Sequence, residues 1–320
     1  MNPFLRVSLI TYLSHIAICF YARTIANRHE IKVVSAYHIL SAGLIGAWLK
    51  KNLGIPLVTT IFGEVYREEQ LYRKLEKLVK LAVSSSDVLV SCSDHCARSL
   101  VKIGFHQPVQ AVLYGVDTEQ FKPDNTGAVV RASLAISDEA VVVGFVGRMV
   151  EEMGLHIVLQ IARRMLEADT SVHFLIAGTA GILTEEALAL QRGYPSQVHV
   201  MVNVAADLLP NCYAAVDLVL VPSINERACL GLAIAEGMAS GKTVIASRVG
   251  GHPEVIRDET MGILVTPNSA ADMQIALEEL LADKTGLREQ MGRAARLAAL
   301  EHFDVRDTTR RMENIFSALL

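Results

Sequence analysis

Residues 218–256 read LVLVPSINERACLGLAIAEGMASGKTVIASRVGGHPEVI, and the fold is decided by their punctuation. An apolar run, Leu218–Val221, stops at Pro222. A polar loop follows, then a stretch of small and aliphatic residues from Gly231 to Gly241, then a second apolar run at Thr243–Ala246. Two wholly apolar runs joined through a helical stretch predict neighbouring parallel strands, buried on both faces. In such sheets ligands meet the loops that leave the carboxyl ends of the strands.

The same alternation extends outward. Runs of Val, Ile and Leu at Ile31–Ser35, Pro56–Ile61, Val88–Ser91 and Gln110–Leu113 predict four strands. Those at Val141–Val146, Val172–Ala177, His199–Val202, Leu218–Val221, Thr243–Ala246 and Gly262–Val265 predict six more. Between the two series, Lys122–Ala128 (KPDNTGA) has the composition of a linker. The expected class is therefore α/β with two Rossmann-like domains facing a cleft, one over residues 1–126 and one over 127–302. A C-terminal helix at 303–320 is expected to cross back to the first. Ser93 is placed to cap a helix ending at Gly104, Ser269 to open another, and Leu155, Val158, Leu159, Ala162, Met165 and Leu166 form a core-facing stripe.

With 320 residues, 51% hydrophobic, 20% charged and 6% aromatic, the chain is neither disordered nor fibrous. Its mean hydropathy of +0.33 is high. The most apolar stretch, Val7–Ala22, carries Ser8, Thr11, Ser14 and His15 and falls short of the roughly 20 residues that span a bilayer. It continues into Arg23, Arg28 and His29 without a small-residue cleavage site, so neither a transmembrane helix nor a signal peptide is expected. Five scattered cysteines (Cys19, Cys92, Cys96, Cys212, Cys229) suit a reducing, cytoplasmic setting. Cys92, His95 and Cys96 lack a second ligand pair at zinc spacing, so no metal site is expected there. The net charge is −4, with 14 Lys/Arg against 10 Asp/Glu in residues 1–130 and 16 against 24 in the remainder, and no nucleic-acid partner is expected. Glu68–Ala82 reads as one amphipathic helix, with Leu71, Leu75, Leu78 and Val79 opposite Arg73, Lys74, Lys77 and Lys80. It suits inward packing or an anionic membrane surface.

Three strand-to-helix loops of the second series carry chemistry. Gly147-Arg148, followed by Gly154 before a helix, would join backbone N–H donors to a guanidinium fork, a combination suited to a diphosphate; the bland alternative pairs Arg148 with Glu151 or Glu152. Gly231 opens a short helix whose first N–H groups suit an anion. Five residues on, Glu236 lies among small residues, where a carboxylate needs hydroxyl or N–H donors such as a ribose diol, or a salt bridge. In Gly250-Gly251-His252-Pro253, the glycines let backbone approach a ligand, and His252 reads as a proton-transfer group or, more simply, a surface residue.

Taken in order, Phe145-Val146-Gly147-Arg148, Ala214-Ala215-Val216-Asp217, Val221-Pro222-Ser223, Gly231-Leu232 through Glu236-Gly237-Met238-Ala239-Ser240-Gly241, Gly250-Gly251-His252-Pro253-Glu254-Val255-Ile256 and Gly262-Ile263-Leu264-Val265 resemble the family 4 (group 1) glycosyltransferases. In the first half, Gly54-Ile55-Pro56-Leu57-Val58 and Tyr114-Gly115-Val116-Asp117 through Phe121-Lys122-Pro123 are similar to the acceptor-side domain of that family. The resemblance implies the GT-B fold and a retaining, metal-independent hexosyltransferase without a cofactor. Its partners would be a nucleotide-sugar donor and a glycan or lipid-linked acceptor, with peripheral contact at the inner membrane face. It implies further that Gly147 and Arg148 hold the donor diphosphate, Arg148 stabilising the departing nucleotide. Glu236 would bind the nucleotide ribose, the N–H groups of Leu230, Gly231 and Leu232 would face diphosphate and sugar, and Glu226 would contact the donor sugar.

The chain also departs from the family pattern. Met153 stands where a second cation, a lysine, is usual. Aligning on Gly231 and Glu236 puts Ala228 at the first acidic position, and a bulge would be needed to bring in Glu226. Tyr37 and Phe62 occupy positions where histidines are common. The family's first three strands, with their glycine-rich loop, have no counterpart before the helix expected near Pro3–Ala26, so the first domain is expected to be incomplete and its Ile31–Ser35 strand an open edge. The alternative expectation is a non-catalytic or truncated member, binding nucleotide-sugar weakly or acting as a subunit whose edge is completed by a partner or a second copy.

Overall fold

The computed structural model describes residues 3–168 and 171–320, with side chains from Ser14 onward in the first helix. The chain forms two compact units, Met1–Leu113 with Thr309–Leu320, and Tyr114–Thr308.

In the first unit a long helix, Pro3–Arg28, precedes β1 (Val34–Tyr37), β2 (Leu57–Ile61), β3 (Val88–Ser91) and β4 (Gln110–Ala111). The sheet has the order β1-β2-β3-β4, all parallel, and among the described residues β1 pairs with β2 alone, from Val34↔Leu57 to Tyr37↔Thr60. Alternation along β2 sends its side chains to two cores. Ile61 packs with Ile39, Val65, Tyr72, Val79 and Leu100. Val58 packs with Val90, Val112 and Ile315, the last from the C-terminal helix Val305–Ser317.

The second unit contains β5 (Val142–Val146), β6 (His173–Gly178), β7 (Val198–Val202), β8 (Leu218–Val221), β9 (Thr243–Ser247) and β10 (Ile263–Val265). Their order, β10-β9-β8-β5-β6-β7, is parallel throughout. It is the doubly wound order, and it reverses between β5 and β8, where the loops after those two strands flank a crevice. The helix Leu155–Glu167 buries its predicted stripe against Phe174, Ile176 and Leu220. Ser93 and Ser269 cap their helices as read, accepting from the N–H groups of Cys96 and Asp272.

Two expectations fail for tertiary reasons. The division between units falls at Leu113–Tyr114, ahead of Lys122–Ala128. Residues 114–121 are sewn to the far end of the second unit: Val116 N–H donates to the Phe303 carbonyl (2.7 Å), Val305 N–H to the Val116 carbonyl (3.0 Å), and Gly115 N–H to Thr308 Oγ1 (2.9 Å). Arg296 Nη1 donates to the carbonyls of Thr118, Phe121 and Ala239 at 2.8–3.0 Å. Buried Asp304 accepts from Thr118 and from both arms of Arg306, which hold its carboxyl well below the usual range. Secondly, Glu68–Ala82 is not one helix. It breaks at Leu75 into Glu69–Lys74 and Glu76–Ser85; Tyr72, Val79, Ala82 and Val83 are buried, and Leu71 and Leu78 lie exposed. Among the described residues no helix is long and apolar enough to cross a membrane.

Candidate functional site

The carboxyl end of the second sheet gathers all three of the loops singled out in the sequence. Gly147 follows β5, and Gly154 opens the helix Leu155–Glu167 in the left-handed region at φ +77°. A Cβ on Gly154 would sit 1.9 Å from the Pro222 carbonyl oxygen, so the first loop can lie against the second only through glycine. Ile224 N–H then donates to the Glu152 carbonyl (3.3 Å). The second and third loops are joined likewise: Gly251 N–H donates to the Ala228 carbonyl (2.9 Å), and Cβ atoms on Gly250 and Gly251 would meet the Ala228 and Cys229 carbonyl oxygens at 1.8 and 1.9 Å.

Gly147 is different. A Cβ there would meet only the Phe145 ring at 3.5 Å, ordinary contact, so the surrounding protein does not require glycine. The Gly147 and Met149 N–H groups are engaged by the Ala177 and Thr179 carbonyls, both at 2.9 Å. The loop's cation is available. Arg148 is half exposed, and its guanidinium reaches Glu152 at 3.8 Å, a long surface pair of little energetic weight.

The N–H donors lie instead in the second loop. Gly231, at φ +83°, caps the helix Leu232–Ala239, and among the described residues the N–H groups of Leu230, Gly231 and Leu232 have no hydrogen-bond partner. They form an open helix N-terminus whose partial positive charge favours an anion. A Cβ on Gly231 would collide with the His252 ring at 2.7 Å, and His252 is fully buried, its Nδ1 2.9 Å from the Ser247 carbonyl oxygen. His252 is therefore a spacer under the second loop, not a surface residue.

Glu236 sits one turn into the same helix. Its Oε2 accepts from the Tyr213 hydroxyl at 2.7 Å, and among the described residues it forms no ion pair. Burial pushes its carboxyl up and the Tyr213 hydrogen bond opposes the shift; burial also drives the Tyr213 phenol well above its ordinary value. Tyr213 lies on the helix Leu209–Ala215 with no exposure and was missed in the sequence, because nothing local ties it to a residue twenty-three positions on.

Glu226 is exposed in a turn where Asn225 Oδ1 accepts from the Arg227 N–H (3.0 Å), and Ala228, at the expected acidic position, gives its carbonyl to Gly251. Met153 packs its side chain on the core formed by Phe145, Met149 and Leu155. In the first unit, the Cys92 and Cys96 sulfurs are buried 3.7 Å apart, and His95 stacks on Tyr66 with centroids 4.4 Å apart.

Comparison with known proteins places the chain in a family. The family model described as Glycosyl transferases group 1 matches residues 128–298, and that described as Glycosyltransferase Family 4 matches residues 4–120. Among curated proteins, the D-inositol 3-phosphate glycosyltransferase of Segniliparus rotundus is 32% identical over 84% of this chain and 62% of its own length. That of Corynebacterium aurimucosum is 30% identical over 90% of this chain and 72% of its own. Among solved structures, Anabaena HepE in complex with UDP matches with a TM-score of 0.82 at 20% identity, over 94% of this chain and 82% of that one. A Rickettsia africae glycosyltransferase matches at 0.79 and 18% identity, over 99% and 82%. The two parallel sheets are those of the GT-B fold, and the chain belongs to the group 1 glycosyltransferases.

Proposed function

We propose that the chain is a retaining, metal-independent glycosyltransferase that binds a nucleotide-sugar in its second unit and moves the sugar to a glycan or lipid-linked acceptor. The observation that carries this reading is the open helix N-terminus at Leu230, Gly231 and Leu232, with an anchored carboxylate, Glu236, one turn beyond it. Three N–H groups and a helix dipole suit a diphosphate, and a carboxylate with one oxygen held by Tyr213 and the other left over suits a ribose diol. Arg148, half exposed on the loop after β5, supplies positive charge to the departing nucleotide without a metal. Relatives named as glycosyltransferases, and a neighbour solved with UDP-glucose, support the donor class.

Titration of UDP and GDP, free and as their sugars, by calorimetry tests this. Binding to at least one nucleotide is expected, weakened at least tenfold in Glu236→Ala. No binding of any of them at millimolar concentration would remove the reading.

Met153 favours a second reading, a member that holds the donor weakly or acts as a subunit. The side chain where the family pattern places a lysine is packed on the core, so this position adds no second cation to Arg148. Met153→Lys, whose stem follows the same apolar path, is expected to tighten UDP binding; unchanged affinity would mean that this position does not face the diphosphate. Peripheral membrane contact belongs to the same proposal, since Leu71, Leu78 and Leu81 are exposed on a segment carrying Lys74, Lys77 and Lys80.

A further inference from the structure

At the carboxyl end of β1 and β2, Tyr37 and Phe62 stack with ring centroids 6.0 Å apart and planes at 22°, and Tyr37 is 54% exposed. Tyr37 ends β1 and Phe62 follows β2, so the pair stands where parallel sheets receive ligands. It is held there under strain. The next residue, His38, has φ +98°, which L side chains rarely adopt, and Ile39–Gly43 is a π-helical turn. Backbone outliers of both kinds collect at functional sites. His38 is pinned on both sides, its N–H donating to the Thr60 carbonyl (3.0 Å) and its carbonyl accepting from Gly43 N–H (2.9 Å). Its Nδ1 is buried without a hydrogen-bond partner among the described residues, and its ring lies 6.2 Å from that of Tyr72. A turn kept for packing alone would not carry both costs.

Two carboxylates, Glu64 and Glu68, lie beside this turn. Buried Glu64 accepts from Phe62 N–H at 2.6 Å. Burial raises the Tyr72 phenol, and the charges of Glu64 and Glu68 raise it further. The neighbouring cations Arg73 and Lys102 are engaged by Glu69 at 2.8 and 3.4 Å. The C–H face of a sugar ring is apolar and faintly positive and matches the negative face of an aromatic ring; a phosphate beside two carboxylates is repelled.

We infer that the Tyr37–Phe62 pair is a platform for a neutral saccharide or cyclitol ring and discriminates against a phosphorylated one. Calling that ring the acceptor rests on the transferase reading above; the binding itself does not. Saturation-transfer NMR on the full chain tests it, with methyl α-glucopyranoside, methyl α-mannopyranoside, myo-inositol and myo-inositol 1-phosphate as probes and UDP present as a separate reporter of the second unit. Transfer to the ring protons of at least one neutral probe is expected, with none to the phosphate. It should fall at least threefold in Tyr37→Ala, an exposed position whose loss leaves the core intact, and return in Tyr37→Trp. A second variant, Tyr37→Lys, should admit the phosphorylated ring. Equal transfer in wild type and Tyr37→Ala, no transfer to any neutral ring, or a preference of the wild type for the phosphate would each overturn the inference. Loss of the UDP signal with the ring signal kept would instead remove the donor reading and leave this one standing.

Discussion

In the second unit the loops of the candidate site are held by backbone lying on backbone, at Gly154 on Pro222, Gly250 on Ala228 and Gly251 on Cys229. In the first unit the corresponding end is held by side chains and a strained turn, with His38 at positive φ and two aromatic rings stacked above it. A surface built from backbone offers the same N–H groups whatever the neighbouring side chains, which suits a diphosphate common to many donors. One built from side chains changes with each substitution, which suits an acceptor that differs between relatives.

The contrast is broken most directly at Gly154. Gly154→Ala adds a Cβ at positive φ against the Pro222 carbonyl and should cost about 3–5 kcal/mol in urea unfolding, whereas Gly147→Ala should stay within about 1 kcal/mol of wild type. Equal effects would show that the loop junction is not backbone-determined. Next, Arg148→Ala should weaken UDP binding by about 10–100-fold, the loss of a charged hydrogen bond worth roughly 1.5–3 kcal/mol, while leaving the unfolding midpoint in place because its contact with Glu152 is long and exposed. A shifted midpoint would assign Arg148 a structural role.

Acidification probes the amino end of the second sheet. His173 Nδ1 and His199 Nε2 lie 3.2 Å apart, and burial, aided by the neighbouring charge, holds both rings below their ordinary value, His199 at about 4. The unfolded chain binds protons first, so the pair's contribution is whole above about pH 6.5 and is lost as pH falls toward about 4. The slope reaches at most about 1.4 kcal/mol per pH unit for one proton. His199→Gln should flatten the urea-derived stability profile across that window; an unaltered profile would place the acid sensitivity elsewhere. The smallest effect is expected in the first unit, where His38→Gly relieves the positive φ and should add roughly 1 kcal/mol. A loss of stability would mean that the imidazole contributes more than its backbone costs.

The sheets were legible because their signals are local. All ten strands lie within three residues of the runs that predicted them, and Ser93 and Ser269 cap where the hydroxyl stands one residue before an apolar pattern. The site was legible in part. Gly231 and Glu236 are positioned by one short helix, which sequence order encodes. Tyr213 and the burial of His252 depend on which helix packs over which loop, and the break at Leu75 depends on Tyr72 turning inward to meet Ile39 and Ile61. The unit boundary was misplaced for the same reason, since KPDNTGA looks like a linker whether or not Arg296 has fastened the residues ahead of it.

That fastening reaches further than a boundary. The parallel bridge Val116↔Asp304, together with the bond from Gly115 to Thr308, brings the entry and exit of the second unit side by side. The two ends of Tyr114–Thr308 therefore leave from one point, the arrangement that domain insertion favours. Entry and exit are clasped there by one carboxylate, one guanidinium and two threonine hydroxyls, so the path of the chain through the unit begins and ends at a single knot.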